Sequence, residues 1–272
     1  MAKVAPSSVE PVGIGRRARV IRCHLGLSLE VVAGLAGMDE RHLARVETGK
    51  RHVDRMGQVE DLAAALGCSV VDLTGQPYLP ADRASADTLA VVPGIREALC
   101  DTTVDDPPGG AARPVGELAE HVRRAAEHLD QDRYPRAGGE LGALLSELHV
   151  RAGAGDDAVR GAALAALMTA CRVAAAITGM IGYHDLALIA ARRGLDAADR
   201  LGDPVVAASA RLGWARTWLA VGARPQAEAA NERALADLGA PSAPEAVGLL
   251  GRHHLLAARL AARAGRADAA DH

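Results

Sequence analysis

Two short helical patterns separated by one glycine, between Ser28 and His52, constrain this chain more than any other feature. Ser28 can accept a hydrogen bond at the start of the first helix, and Asp39 can do the same for the second. Gly37 between them can adopt the positive φ that a tight turn needs. Because helices joined by so short a turn cross closely, the first needs a small side chain at the crossing, and Ala33 provides it. The stretch therefore predicts a compact pair of crossing helices.

The two faces of this helix pair differ in character. The apolar residues have the spacing of a small core: Val32, Ala36, Met38, Leu43 and Val46. Polar and charged residues are left on the outer face of the second helix: Glu40, Arg41, His42 and Arg45. The outer face is thus free to contact a partner.

From Ile14 to Leu73 the sequence resembles the phage-repressor and Cro-like helix-turn-helix family, also called the XRE family. The motifs that carry the resemblance are the arginine-rich GRRARVIR of the first helix, LGLS, LAGM at the turn, LARVETGKR, and MGQVEDLAAALGCSVVDL. The resemblance implies a five-helix domain over residues 13–75. It also implies a structural ion pair between Arg22, late in the first helix, and Glu47, at the end of the third.

The same resemblance implies that double-stranded DNA is the partner and that the third helix enters its major groove. The residues that would read base edges are Glu40, Arg41, His42 and Arg45. The residues that would contact phosphates are Arg16, Arg17, Ser28, Lys50, Arg51 and His52. Arginine suits a bidentate contact with guanine, and glutamate can accept from cytosine N4. Leu29 departs from the family, because many members carry a glutamine there that helps to hold DNA. Since one domain neutralises few phosphates, a homodimer on two half-sites is expected.

Composition extends the helical prediction to the whole chain of 272 residues. Phe is absent and aromatic residues make up 2%, whereas the strong helix formers Ala, Leu and Arg dominate. An all-α fold is expected. The net charge of −3 does not indicate a nucleic-acid binder, but residues 13–75 hold nine Lys/Arg against eight Asp/Glu, weak support for DNA binding. The alanine-rich composition also resembles that of proteins from high-GC actinobacteria, where regulators with a two-part layout are common.

The chain has the features of a cytoplasmic protein. Its four cysteines, Cys23, Cys68, Cys100 and Cys171, are far apart and form no CxxC pair, as is usual for thiols in a reducing compartment. The N-terminus lacks the apolar stretch of a signal peptide. No apolar run free of charge is long enough to span a membrane, so no membrane association is expected.

Breaks in composition divide the remainder of the chain. Residues 1–12 are rich in Pro, Ser and Val without a period, which predicts a flexible arm. Residues 76–113 contain two Pro/Gly-rich stretches and predict a hinge or linker with one short helix. From 114 to 272 Gly or Pro interrupts helical patterns of roughly 15 to 25 residues, which predicts an array of helical hairpins.

A weak repeat in this second domain resembles tetratricopeptide repeats. Gly182, Gly222 and Gly265 are each preceded by an alanine at seven residues and followed by one at five. The spacing is longer than the usual repeat of about 34 residues. The third unit stops at ADAADH, so either the sequence is truncated or the array ends without a capping helix.

If the repeat holds, the first helices of the hairpins line a concave groove. The residues that would face inward are Thr169, Arg172, Ser209, Arg216, Arg252 and Arg259. Several arginines in one groove suit an anionic small molecule or an acidic peptide as effector. The alternative is that they are ordinary solvated arginines. Trp214 and Trp218 are expected in the core.

Motifs of common enzymes and cofactor sites are missing from the sequence. ETGKR lacks the first glycine of a phosphate loop, and GxSxG, HExxH and GxGxxG do not occur. His253-His254 and His184-Asp185 lack a helix-spaced partner for a metal. We therefore expect no enzyme activity, no cofactor and no metal site. The expected function is a sequence-specific transcriptional regulator whose helical domain senses an effector or dimerises. The alternative is a helical-repeat adaptor or antitoxin-like module whose first domain does not read DNA.

Overall fold

The computed structural model of the chain describes residues 11–53, 56–75, 83–154, 156–239 and 243–263. Within these ranges there are fifteen α-helices and no β-strand, which confirms the all-α prediction. The first five helices form the head: α1 (Pro11–His24), α2 (Leu29–Leu35), α3 (Glu40–Glu47), α4 (Met56–Ala65) and α5 (Val70–Thr74). The other ten form the body: α6 (Arg83–Ala90), α7 (Val92–Asp101), α8 (Val115–Asp130), α9 (Tyr134–Gly138), α10 (Leu141–Ala154), α11 (Asp157–Met180), α12 (His184–Leu201), α13 (Pro204–Ala220), α14 (Arg224–Leu238) and α15 (Pro244–Arg263). The predicted arm over residues 1–12 lies almost wholly outside the described residues.

The head closes around its own apolar core. The Ser28 hydroxyl accepts from the backbone amide of Val31, and Gly37 turns the chain with a φ of 63°. The residues that the sequence assigned to the core are buried, apart from Met38, which is partly buried. All five helices contribute to this core. Packing of the inner face of α3 against the other helices therefore fixes the orientation of its outer face.

Helices α1 and α3 approach each other so closely that one position admits only glycine. A Cβ atom at Gly15 would lie 1.9 Å from the carbonyl oxygen of Val46. Glycine here lets the first helix lie directly against the back of α3.

The segment predicted as a hinge differs from that prediction. It contains two helices, and the second belongs to the body core, where Val92, Ile95 and Leu99 are buried. Their spacing of three and four residues indicates a helix, whereas the nearby prolines and glycines indicate a linker. The stretch after α7 is also tied down, because Arg113 pairs with Glu147 at 2.7 Å.

The body consists of successive antiparallel helices joined by short turns. Gly182 and Gly222 have φ values of 89° and 81° and end the turns before α12 and α14, close to the breaks predicted from the sequence. Two apolar clusters hold the body together. Helices α7 to α12 share the larger one, and α13 to α15 share the other.

Helix α11 is long and apolar enough to cross a membrane by length and composition alone. More than half of its most apolar window is buried inside the body, where it packs between α10 and α12. Its apolar character is that of a central core helix.

Candidate nucleic-acid interface and body cleft

The N-terminal half of helix α3 is exposed to solvent, and a cap residue and buried side chains hold the helix in place. The carboxylate of Asp39 accepts from the backbone amides of Arg41 at 2.9 Å and His42 at 3.2 Å. Leu43 and Val46 are fully buried on the inner face. The start of α3 is thus capped and anchored, while Glu40, Arg41 and Arg45 on its outer face are exposed.

Seven of the residues predicted to contact DNA have exposed side chains that make no hydrogen bond or ion pair with the described part of the chain: Arg16, Glu40, Arg41, Arg45, Lys50, Arg51 and His52. Five of them are cationic and one is acidic. An exposed surface of free guanidinium and ammonium groups around one helix end can bind phosphates and base edges.

Ser28 and His42 are placed differently. The Ser28 hydroxyl is engaged as the cap of α2, although the residue is exposed. His42 is half-buried, and its Nε2 atom is enclosed without a hydrogen-bond partner in the described structure. That edge of the His42 ring faces inward, so only its other edge can face a groove.

The structure corrects the prediction for Arg17. Its Nη1 donates to the carbonyl oxygens of Leu73 at 3.2 Å and Thr74 at 3.1 Å. The guanidinium therefore ties α1 to the end of α5, and it is occupied within the head. No local pattern indicates this contact, because its partners are more than 50 residues away.

Arg22 and Glu47 form the ion pair that the resemblance implies. Nε and Nη2 of Arg22 donate to the two carboxylate oxygens of Glu47 at 2.7 and 2.8 Å, and Nη1 donates to the carbonyl of Leu27 at 2.9 Å. The hydrogen bond to Glu47 raises the pKa of Arg22 above its ordinary value. The pair joins α1, the turn before α2 and the end of α3, so it fixes the orientation of α3 within the head.

A cleft with a volume of about 690 Å³ lies in the body between α11, α12, α13 and α15. Four of the six predicted residues line it: Arg172, Ser209, Arg216 and Arg252. Thr169 and Arg259 do not, and the Thr169 hydroxyl donates to the carbonyl of Ala165. Trp214 lines the cleft and is partly buried, with its ring edge-to-face on Trp218 at 5.1 Å.

His184, whose sequence context suggested only a possible metal ligand, lines this cleft. The residue is buried, and neither ring nitrogen has a hydrogen-bond partner in the described structure. Burial lowers the pKa of its imidazole. Its position at the start of α12, directly after the turn at Gly182, was visible in the sequence, but its neighbours were not.

A second cavity, of about 560 Å³, lies where the head meets the body. Cys68, Ser69 and Val71 line it from the head, and His184 lines it from the body. A Cβ atom at Gly222 would lie 3.6 Å from Cγ2 of Val70. His184 therefore belongs to both the cleft and this seam. Burial raises the pKa of the Cys68 thiol to about 11.

The other histidine considered for a metal is part of the core. Nδ1 of His253 lies 2.7 Å from Oδ1 of Asn231, and Nε2 lies 3.1 Å from the carbonyl of Ala208. Both ring nitrogens of this residue on α15 thus lie beside an oxygen acceptor, one on α14 and one on α13, and a neutral imidazole can donate to one of them.

Residues 14–74 match the protein-family model described as a helix-turn-helix domain. No curated protein matches the chain significantly. Similar solved structures include Bacillus thuringiensis PlcR in complex with the peptide PapR7 and DNA, at 14% identity and a TM-score of 0.32, over 96% of this chain and 91% of that one. They also include ComR from S. thermophilus in complex with DNA and its signalling peptide ComS, at 14% identity and a TM-score of 0.30, over 94% and 99%. TM-scores this low carry no inference about the function of this chain.

Proposed function

We propose that the chain is a sequence-specific, DNA-binding transcriptional regulator of the XRE type. One observation carries the proposal: α3 is fixed from behind by packing and by the Arg22–Glu47 pair, while its outer face holds unpaired charged side chains. Arg41 and Arg45 lie on that face, within reach of base edges when α3 enters a major groove. Lys50, Arg51 and Arg16 flank them and suit phosphate contacts.

The protein acts as a homodimer in this proposal. One head offers about five cations, so its binding is modest at physiological salt, and two heads on adjacent half-sites supply the missing affinity. A dimer also gives the body a role, since it would set the distance between the two heads.

The body senses an effector in this proposal. The effector binds in the body cleft. If it binds one arrangement of head and body more tightly than another, it shifts the population towards the arrangement that it prefers. In the same proposal the protein is cytoplasmic and has no enzyme activity. Its alanine-rich composition supports an actinobacterial source. The rival function is an adaptor whose head contacts only protein.

Selection of bound sequences from a random duplex pool tests the proposal. The wild-type chain is expected to enrich a two-fold symmetric motif. Arg41→Ala and Arg45→Ala are expected to relax the choice of base at one position each, worth about 1–3 kcal/mol per base contact. Arg233→Ala is the matched control, because Arg233 is an exposed arginine on α14 and its loss leaves the head unchanged.

The salt dependence of DNA binding separates the regulator from the adaptor. Lys50→Ala is expected to reduce the slope of log K against log salt by about one, since one phosphate contact is lost. Well-folded protein that enriches no sequence at low salt and shows no salt-dependent DNA binding refutes the proposed function and favours the adaptor.

A further inference from the structure

The walls of the body cleft combine an apolar floor with charged rims. Small side chains from three helices form the floor: Ala175, Gly179, Ala187, Ala191, Ala210 and Gly213. Because these residues project little or no side chain, α11, α12 and α13 leave an open volume of about 690 Å³ between them. That volume is in the range of sites for small organic ligands, which is roughly 300–1,000 Å³.

The charge of the cleft is not balanced by its own residues. Arg172, Arg216 and Arg252 line it, and none of them has an ion pair with the described residues. Asp130 is the one acidic side chain among the described residues that line it. Elsewhere in the body arginines are commonly paired, as Arg211 is with Asp199 and Asp237.

His184 supplies an independent sign that something binds in the cleft. Its side chain is buried, yet both ring nitrogens lack a hydrogen-bond partner in the described structure. Buried polar atoms are nearly always hydrogen-bonded, because an unpaired one costs about 1–3 kcal/mol. A neutral imidazole can donate through one nitrogen and accept through the other, so a ligand with an oxygen at this end of the cleft would satisfy it.

We propose that the cleft binds a small organic anion with an apolar portion. Its carboxylate, sulfonate or phosphate group is held by Arg172 and Arg216, its apolar portion lies on the alanine and glycine floor, and His184 hydrogen-bonds one of its oxygens. Guanidinium groups bind such anions with paired, charge-assisted hydrogen bonds. The binding stands on the cleft alone, whereas its regulatory meaning rests on the proposed DNA-binding function.

Ligand binding in the cleft affects the head through His184. The same side chain lines the cavity against Cys68 and Ser69 of the head. When a ligand fixes the His184 ring in one orientation, the body surface against α5 changes with it. The regulated element is therefore the seam between head and body.

The probe for this proposal is 8-anilinonaphthalene-1-sulfonate, which joins an aromatic body to one sulfonate. It is titrated into the full chain without DNA and followed by its own fluorescence and by energy transfer from tryptophan. Both tryptophans of the chain are on α13, and Trp214 lines the cleft. Saturable binding at one site with energy transfer is expected. N-phenyl-1-naphthylamine, which lacks the sulfonate, is expected to bind at least about 10-fold more weakly, a difference of about 1.4 kcal/mol.

The decisive variant is Arg172→Gln/Arg216→Gln, with Arg136→Gln/Arg233→Gln as the charge-matched control outside the cleft. The first variant is expected to weaken binding of the sulfonate at least about 10-fold, and the control to leave it unchanged. His184→Phe is expected to weaken the sulfonate and to leave the neutral analogue unaffected. Circular dichroism and the thermal midpoint show that each variant folds.

Three outcomes overturn the proposal: equal affinity of the cleft variant and the control, equal affinity for the sulfonate and its neutral analogue, or displacement by a glutamate-rich hexapeptide but not by naphthoate. The last outcome would assign the cleft to an acidic peptide. DNA selection with the wild-type chain, in the absence of the probe, separates the two proposals when it is set beside probe binding by the same wild-type chain. Probe binding without any DNA enrichment refutes the proposed function alone, and DNA enrichment without probe binding refutes the ligand site alone.

Discussion

Replacing Arg22 is expected to destabilise the head more than replacing Glu47, although the two form one ion pair. The Glu47 side chain is 3% exposed, whereas that of Arg22 is 13% exposed. Arg22→Met leaves a buried carboxylate without its partner, which costs about 3–5 kcal/mol. Glu47→Met leaves a guanidinium that is closer to solvent and still donates to the carbonyl of Leu27. Its cost is about 1.5–3 kcal/mol, the range for lost hydrogen bonds to a charged group.

The double variant Arg22→Met/Glu47→Met separates the pair interaction from the loss of each side chain. Two methionines of similar length can pack together, so the double variant is expected to be less destabilised than the sum of the single ones. The coupling free energy is expected to be about 2 kcal/mol, within the range for residues in direct contact.

Amide hydrogen exchange of peptides from α1 and α3 measures the opening free energy of the head. Tryptophan fluorescence during urea unfolding reports on the body, because both tryptophans, Trp214 and Trp218, lie on α13. Arg233→Met controls for the loss of an exposed arginine. A smaller cost for Arg22→Met than for Glu47→Met, or a coupling below about 0.5 kcal/mol, would show that the pair does not hold α3 as described.

Three further expectations follow from other contacts in the structure. Gly142→Ala places a Cβ atom 2.6 Å from the carbonyl oxygen of Gly94 and should lower the free energy of thermal unfolding by about 1–3 kcal/mol. The control Gly161→Ala, with open space around it, should raise the free energy of unfolding by about 0.5–1 kcal/mol. Equal effects of the two variants would contradict the close contact between α7 and α10. Burial lowers the pKa of His253, so its contribution to stability is present above about pH 6.5 and is lost as pH falls towards its folded pKa, at up to about 1.4 kcal/mol per pH unit. Urea unfolding across that range should therefore show a shallower pH slope in His253→Gln. Arg17→Ala should weaken the head in hydrogen exchange by about 1–2 kcal/mol without changing the salt slope of DNA binding, and a reduced slope would restore Arg17 as a phosphate contact.

The features of the head that could be predicted from the residues themselves are those with local causes, whereas the Arg22–Glu47 pair between α1 and α3 was implied only by the family resemblance. The cap residues Ser28 and Asp39, the turn at Gly37 and the crossing at Ala33 each act within a few residues, so their pattern could be interpreted without a fold. The DNA contacts of α3 stay predictions, since they depend on a partner that the sequence does not contain.

The features that the sequence could not predict depend on contacts between distant segments. Arg17 is occupied because the end of α5 lies beside α1. His184 lines both the cleft and the seam because α12 packs against α13 and begins beside the head. The segment 76–113 differs from its prediction for another reason: its prolines and glycines indicate a linker, whereas the helical spacing of Val92, Ile95 and Leu99 decides where α7 packs.

The position of the cleft between two apolar clusters bears on how the protein unfolds. Helices α11 and α12 belong to one cluster and α13 and α15 to the other, so the cleft spans the border between two units that each have an apolar interior of their own. A ligand on that border stabilises the joined arrangement and neither unit by itself. Two separable thermal transitions of the body would then merge into one as the cleft fills, so the cooperativity of unfolding, as well as its midpoint, would report occupancy.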